Sequence, residues 1–326
     1  MERELFMLHQ KLNSFISNLF RNYYKDAELD LPYDMELREF ALQPVGLESY
    51  MRHLTFSNLS SLKTFVIKHP PLHIYYSSAK YVNPSEKDME SKGWLGSDLI
   101  FDIDADHICK GLKSYHYCIE CRLLSEGSKC PNCNKKFQVI QELSINCMNE
   151  TLEHLKLLID ILSQDFGLKG KPFFSGNRGF HYHVECGEKC LKMTSLERAE
   201  MISYIRGEYL DKAPALSNWK KRSFAPEIDS QVSIDVSRLV RIPRSINGKS
   251  GMLVAKIDPE KEFSFSPELS PFYNIRIKIK SLVSFPKLSI LGHEVKMKEG
   301  DEITLEGHLA VFLILKAIAI PLDVDN

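Results

Sequence analysis

The sequence predicts an α/β fold of the α+β kind: a mixed β-sheet flanked by helices, with a small cysteine-rich insertion and a short helical segment added to it. Three observations predict it. Apolar residues recur at helix spacing in long stretches, as in Leu5, Leu8, Leu12, Phe15, Ile16, Leu19 and Phe20. They alternate with polar ones in shorter stretches, most clearly at residues 97–105, where Leu99, Phe101, Ile103 and Ala105 are interleaved with Asp98, Ile100, Asp102 and Asp104. The two kinds of stretch follow one another without a regular βαβ rhythm.

Taken in order, an N-terminal helix ends at the Pro- and acid-containing stretch 29–34. Residues 35–42 and 64–77 carry the β-branched and apolar content of strands. The strand at 97–105 follows. Residues 107–137 are then small, polar and cysteine-laden, an insertion expected to fold around a metal rather than by apolar burial. A long helix over 151–164 presents Leu152, Leu155, Leu158, Ile159 and Leu162 on one face. Residues 173–186 read as strand, loop, strand. Thr194 and Glu197 have capping-box spacing and open a helix expected to run to about residue 210. Residues 213–222, with Pro214, Trp219 and Lys220-Lys221-Arg222, read as a surface excursion. Strand patterns return at 232–242 and 272–283. No internal repeat or low-complexity tract interrupts the 326 residues.

With 44% apolar residues the chain can bury a sizeable core. Its 42 Lys and Arg nearly cancel 43 Asp and Glu, as in an ordinary soluble enzyme. A coat protein for nucleic acid would carry a basic excess, so any such contact must come from a local cluster. The mixed-charge N-terminus lacks the pattern of a targeting segment, and the apolar stretch at 309–322 is too short to span a bilayer. Five of the eight cysteines fall between Cys109 and Cys133, which points to a metal site in a reducing compartment and a cytoplasmic protein without membrane contact.

Asp102-Ile103-Asp104 puts two carboxylates at i and i+2 of a strand, on one face. Their Cα atoms are then roughly 6.5–7 Å apart. Carboxylates so placed repel unless a cation shares them, and together they can grip metal ions about 3.5–4 Å apart. Asp-x-Asp alone is common on solvated faces, so a third carboxylate is needed. Asp235, inside the alternating stretch 232–236, is the candidate. Asp229 competes, but Pro226 and the turn-like Asp229-Ser230 suggest that it is less rigidly held.

Two further segments suit phosphate. In Ser175-Gly176-Asn177-Arg178-Gly179 the glycines allow close backbone approach, while Ser175 and Arg178 offer a hydroxyl and a guanidinium. His181 follows on the same strand face as His183. Arg238, Arg241, Arg244 and Lys249 form a basic run with no acid between Val236 and Lys256. Asn247-Gly248-Lys249-Ser250-Gly251 is a Lys-bearing turn but not a P-loop, because the glycine spacing is wrong. Its place beside the aspartates makes the run a candidate triphosphate clamp. Cys118-x2-Cys121 and Cys130-x2-Cys133, eight residues apart, can close a tetrahedral structural zinc site, with His116 and Cys109 as substitutes for one thiolate. Cys147, Cys186 and Cys190 read as core or half-buried thiols.

These segments, with Arg38-Glu39-Phe40 before them and Arg238-Leu239-Val240-Arg241-Ile242-Pro243 running into the Lys249 turn, resemble in content and order the archaeal/eukaryotic-type DNA primase small subunit family, over about residues 38–251. The resemblance implies an enzyme that joins nucleoside triphosphates into short primers on a single-stranded DNA template. It also implies one catalytic core over 1–326 with a zinc-binding insertion at 107–137 and a helical insertion at 190–225. A large-subunit partner in a heterodimer, Mg²⁺ or Mn²⁺ for catalysis, structural Zn²⁺, and work at the nucleoid during replication are implied as well. By position, Asp102, Asp104 and Asp235 match the metal-binding carboxylates. Ser175, Arg178, His181 and Lys249 match the nucleotide-phosphate residues, with Arg241 and Arg38 facing the same site. Asn247 departs from the His often found there, and cannot carry charge. Rival readings are a related primase-polymerase of repair or of a mobile element, a zinc-ribbon nucleic-acid-binding subunit, and a metallohydrolase using His181 and His183. The last leaves the aspartate pair and the basic run without a role.

Overall fold

The computed structural model describes residues 2–110, 112–125, 129–142, 144–208 and 224–322. Two four-stranded sheets form its centre. One has the order Leu239–Arg241, Pro71–Ser77, Phe40–Pro44, Met51–Leu54; the other runs Ala255–Lys256, Gly170–Phe174, Gly179–Val184, Ile100–Asp104. The α/β expectation holds, but among the described residues every strand pairing is antiparallel rather than mixed. Gly170–Phe174 and Gly179–Val184 are joined by a tight loop, which only antiparallel neighbours allow.

Helices cover these sheets for legible reasons. The first, Glu2–Asp26, buries Leu12, Ile16, Phe20 and Tyr24, four residues apart and hence on one stripe. The long helix Ile145–Phe166 starts where the Ser144 side chain accepts from the Cys147 N–H and ends at left-handed Gly167. Its buried Met148, Leu152, Leu155, Leu158 and Leu162 pack on the strand bearing Asp102 and Asp104 and on its neighbour. A capping box of Thr194 with Glu197 opens Ser195–Ile205 as expected. The surface excursion at 213–222 lies outside the described residues.

Three strand expectations fail in part. Residues 64–77 divide into the helix Leu59–Lys68, capped by Asn58 and Ser61, and the strand Pro71–Ser77. The β-branched Thr64, Val66 and Ile67 masked a helix that the cap and the burial of Leu62 and Val66 decide. Residues 35–42 begin as a 3₁₀ turn, Met35–Leu37, before the strand Phe40–Pro44. The stretch 232–242 is a short helix, Ser230–Ile234, followed by the strand Leu239–Arg241, with Asp235 at the end of the helix. That helix packs on the Ile100–Asp104 strand, and the Leu239–Arg241 strand then joins the other sheet. One short segment therefore ties the two sheets together and creates a cleft between them.

The cysteine-rich segment forms a separate three-stranded sheet, Leu123–Ser125, Ser114–Cys118 and Gln138–Gln141. At the C-terminal end a sheet of Glu302–Glu306, Arg276–Ser281 and Ala319–Pro321, a hairpin of Phe285–Ile290 with His293–Met297, and the helix Gly307–Leu315 pack together. The apolar tail is thus a core element, as its length requires. Among the described residues no helix is long and apolar enough to cross a membrane.

Candidate active site

The cleft between the sheets is a cavity of about 250 Å³ lined by Asp102, Asp104, Ser175, Arg178, His181, Arg241 and Lys249, with Tyr75, Asn177, Arg238 and Asn247 among the others. Seven of the expected residues, distant in sequence, therefore share one space. The strand Ile100–Asp104 turns Phe101 and Ile103 into the core and presents Asp102 and Asp104 to the cleft. Gly179 pairs with Asp104 across the sheet, and a β-carbon there would stand 2.3 Å from the Ile103 carbonyl oxygen and 2.6 Å from Asp104 Oδ1. Only glycine lets the strands meet beside that carboxylate.

The two carboxylates are poorly compensated. Asp102 Oδ1 is buried without a hydrogen-bond partner. Burial raises the Asp102 carboxyl above the usual range and the charge of Asp229 adds to it, against the pull of Arg238 and Arg241. Asp104 is raised by burial and by the charges of Asp102 and Asp106, against Arg178. His181 Nε2 lies 3.4 Å from Asp102 Oδ1, but burial pushes the ring down to about 3, so it is neutral and forms no ion pair. Both raised carboxyls and the orphaned oxygen suit a site that a cation completes.

The basic residues come from two loops and the end of a strand. Asn247, 2% exposed, donates from Nδ2 to the Ser175 carbonyl at 3.0 Å and accepts the Lys249 N–H on Oδ1 at 3.0 Å. It ties the Ser175–Gly179 loop to the Lys249 turn, a role that needs an amide rather than a charge. Gly176, at φ +77°, faces Asn247 closely enough that a β-carbon would lie 2.8 Å from that of Asn247. Arg178 is held by Asp106, 2.8 Å away, and by Gln141. Arg241 lies over the Tyr75 ring and bonds His73, whose ring burial and the charges of Arg241 and Lys249 push down to about 2. His73 is thus a neutral acceptor that also receives the Gly248 N–H.

The structure does not bring two expected residues into the cleft. The Asp235 carboxylate accepts from the N–H and hydroxyl of Ser237, 2.8 and 2.7 Å away, and does not line the cavity. The reason is the helix at Ser230–Ile234, which replaces the expected strand and turns residue 235 aside. Asp229, at the start of that helix, donates its N–H to the Asp102 carbonyl at 2.9 Å and is the acid whose charge acts on Asp102. The turn held to disqualify Asp229 is what anchors it: its carboxylate caps the helix at Gln231 N–H. Arg38 faces a neighbouring cavity and has its donors engaged by Asp34, Asp98 and the carbonyls of Ser77 and Ser78. With its fork so occupied it presents no free donor to the cleft. His183 opens to that neighbouring cavity too, so the two histidines do not converge with an aspartate on one point.

Sequence reasoning also missed Lys316. Together with Arg178, Lys249 and Asn177 it lines a second cavity of about 270 Å³ next to the first. Burial and the charges of Arg178 and Lys249 push its ammonium down to about 8. Nothing in an apolar tail marks one lysine as part of a distant basic cluster; only packing of the C-terminal helix beside the cleft does.

The four sulfurs of Cys118, Cys121, Cys130 and Cys133 all lie within 4.8 Å of one another, the arrangement a tetrahedral ion requires. His116 is outside this group, its ring tilted against Phe137 at 6.1 Å. Cys109 is outside it as well, being disulfide-bonded to Cys147, and Cys186 is bonded to Cys190. The expectation of free thiols at 147, 186 and 190 is corrected: the fold brings residues 38 and four apart into bonding contact, which spacing alone does not reveal.

A family model described as DNA primase small subunit matches residues 140–259. The DNA primase small subunit PriS of Saccharolobus islandicus is 43% identical over 322 residues, covering 95% of this chain and 96% of that protein. Its counterparts in Saccharolobus solfataricus and Pyrobaculum calidifontis are 42% and 34% identical, over 95% and 91% of this chain and 96% of each relative. The chain belongs to the DNA primase small subunit family. It is accordingly a nucleotidyltransferase, the catalytic small subunit of an archaeal-type primase, which synthesises primers in DNA replication. The family implies divalent metal ions, and the four-cysteine cluster is suited to zinc.

Proposed function

We propose that Asp102, Asp104 and Asp229 hold the Mg²⁺ or Mn²⁺ ions of nucleotide addition, and that Arg178, Lys249, Arg241, Ser175 and Lys316 receive the triphosphate. The observation that carries this reading is the pairing of two half-buried carboxylates, one with a buried oxygen that no donor meets, with a ring of cations in one cleft. Divalent ions bound there would supply positive charge that activates a 3′-hydroxyl and stabilises departing pyrophosphate. The side chains do the rest by position. The aspartate strand, locked by Phe101 and Ile103 in the core, fixes where the charge sits. The Asn247 tie holds the Ser175 loop and the Lys249 turn at a constant separation, so the cations meet the phosphates without rearrangement. Neutral His181 can hydrogen-bond a phosphate oxygen or a nucleotide hydroxyl beside Asp102 without competing for the metal charge.

Asp229 takes the place expected of Asp235, supported by its anchored position and its charge on Asp102. Zn²⁺ on Cys118, Cys121, Cys130 and Cys133 stabilises the 107–137 insertion, and the four thiolates leave no open position for chemistry. The template is single-stranded DNA and the partner a primase large subunit in a heterodimer, as the small-subunit family implies. We read 190–225 as a helical insertion of the same core, a reading supported within the described residues 190–208 by the helix Ser195–Ile205. In the test, Asp102→Asn with Asp104→Asn loses primer synthesis on a single-stranded template by at least about 1,000-fold, while the protein stays folded with its zinc. Activity within about tenfold of the wild type would overturn the assignment.

A further inference from the structure

A second cluster of metal-ligating side chains lies outside the active site. His293 begins the second strand of the Phe285–Met297 hairpin, just after the turn at Leu291 and Gly292, both at positive φ. Glu306 and His308 stand at the start of the helix Gly307–Leu315. One ligand atom from each of the three lies within 4.8 Å of the other two. Among the described residues this and the four-cysteine group are the compact sets of three or more such side chains.

The inner two groups lack partners. His308 is 5% exposed, and neither its Nδ1 nor Glu306 Oε2, both buried, has a hydrogen-bond partner. The two atoms are 3.7 Å apart, too far for a hydrogen bond. The Tyr273 ring stacks on the His308 ring at 5.0 Å and fixes its plane, while the His293 ring meets it edge-on at 5.4 Å. An orphaned buried nitrogen facing an orphaned carboxylate oxygen is costly unless something joins them.

The geometry points to a divalent transition-metal site formed by His293, Glu306 and His308, of the zinc class. Two imidazoles and one carboxylate suit such an ion, and three ligands leave a fourth position for water. Ligand atoms on a tetrahedral ion sit roughly 3.3 Å apart. The Nδ1–Oε2 pair is close to that spacing already, and exposed His293 can rotate to complete it. Bound metal would pin the hairpin turn to the C-terminal helix. Leu291 of that turn, Phe312 of the helix and Lys316 just beyond it line the second cavity beside Arg178 and Lys249. The ion therefore braces the outer wall of the cation-lined space next to the catalytic cleft.

The test is Zn²⁺ binding to the full chain carrying Asp102→Asn and Asp104→Asn, so that the acidic pair does not compete, with the four-cysteine site already loaded. Calorimetry and elemental analysis should find one further equivalent of zinc, and thermal denaturation should show a rise in Tm on its addition. His293→Ala and Glu306→Gln, at exposed and half-buried positions, should each weaken that equivalent at least about tenfold and remove the rise in Tm. The cysteine-bound zinc should be unchanged. With Co²⁺ in place of Zn²⁺ the added equivalent should give d–d absorption without thiolate charge-transfer bands. No zinc beyond the cysteine site, or an extra equivalent that survives both substitutions, would overturn the proposal.

Discussion

Two groups of wholly or partly buried charges, one around Arg38 and one around Asp102, are built on opposite principles. In one, Arg38 pairs with Asp34 at 2.9 Å and Asp98 at 2.7 Å, Lys80 pairs with Asp34 at 2.7 Å, and Glu39 is met by Lys92 at 2.6 Å and Arg52 at 2.7 Å. Burial works against the charged forms of Asp34, Glu39 and Arg38, yet their partners outweigh it and hold both acids below the usual range and the guanidinium above it. In the other, Asp104 meets the charges of Asp102 and Asp106, Asp102 meets that of Asp229, and burial prevails. A protein closes the charges that serve its architecture and leaves open those that a ligand closes. That difference separates Arg38 from Asp102, although both lie in motifs that point to the same function.

The largest effect is expected for Arg38→Met, which strands Asp34 and Asp98 in the interior. It should cost about 3–5 kcal/mol of stability, read as a lower urea midpoint, while kcat and KM of the folded fraction stay near wild type. A variant with normal stability and a raised KM for nucleotide would return Arg38 to the active site. Next, Asp229→Asn should lower kcat at least about 100-fold, close to 2.7 kcal/mol, whereas Asp235→Asn keeps most activity. The reverse result in a primer-extension assay would restore the strand-based choice. Lys249→Ala and Arg178→Ala should each raise the KM for nucleoside triphosphate about tenfold or more, the worth of one charge-assisted hydrogen bond. An effect on template affinity alone would remove them from the clamp.

The smallest effect is a contrast in pH dependence. Asp34 and Glu39 have folded values below the unfolded ones, so their contribution is complete above about pH 4 and is lost as pH falls through the folded values. Asp102 and Asp104 have raised folded values, so stability is complete below about pH 4 and declines as pH rises through them. Urea midpoints of metal-free protein between pH 3 and 8 should therefore fall at both ends. Asp102→Asn with Asp104→Asn, or saturating Mn²⁺, should flatten the upper limb only. Asp34→Asn should shrink the lower one. An upper limb indifferent to both treatments would mean that the acidic pair is already compensated.

Local pattern carried much of this structure. The alternation at 97–105, the leucine face of the long helix, the capping box at Thr194 and the paired Cys-x2-Cys knuckles each depend on neighbours within a few residues, and each is present. Two of the misread strands share one origin. Residues 64–67 and 232–236 have strand-like composition, but Asn58 and Asp229 cap helices there, and packing against the sheets decides between the two states. Once the second stretch became a helix, Asp235 left the cleft and Asp229 entered its surroundings.

By itself the sequence determined the α/β class, the aspartate pair, the two phosphate-suited loops, the zinc-type knuckles and the family they resemble, because residue type, spacing and order carry that information. Only the tertiary structure decided which charges are paired. It spent Arg38 on Asp34 and Asp98, turned Asp235 onto Ser237, brought Lys316 from the C-terminal helix to the basic cluster, and set His293 against Glu306 and His308. A charge in a sequence has no stated partner. Whether it is structural or functional depends on what lies within a few ångströms of it in a low-dielectric interior, and chain separation does not encode that distance.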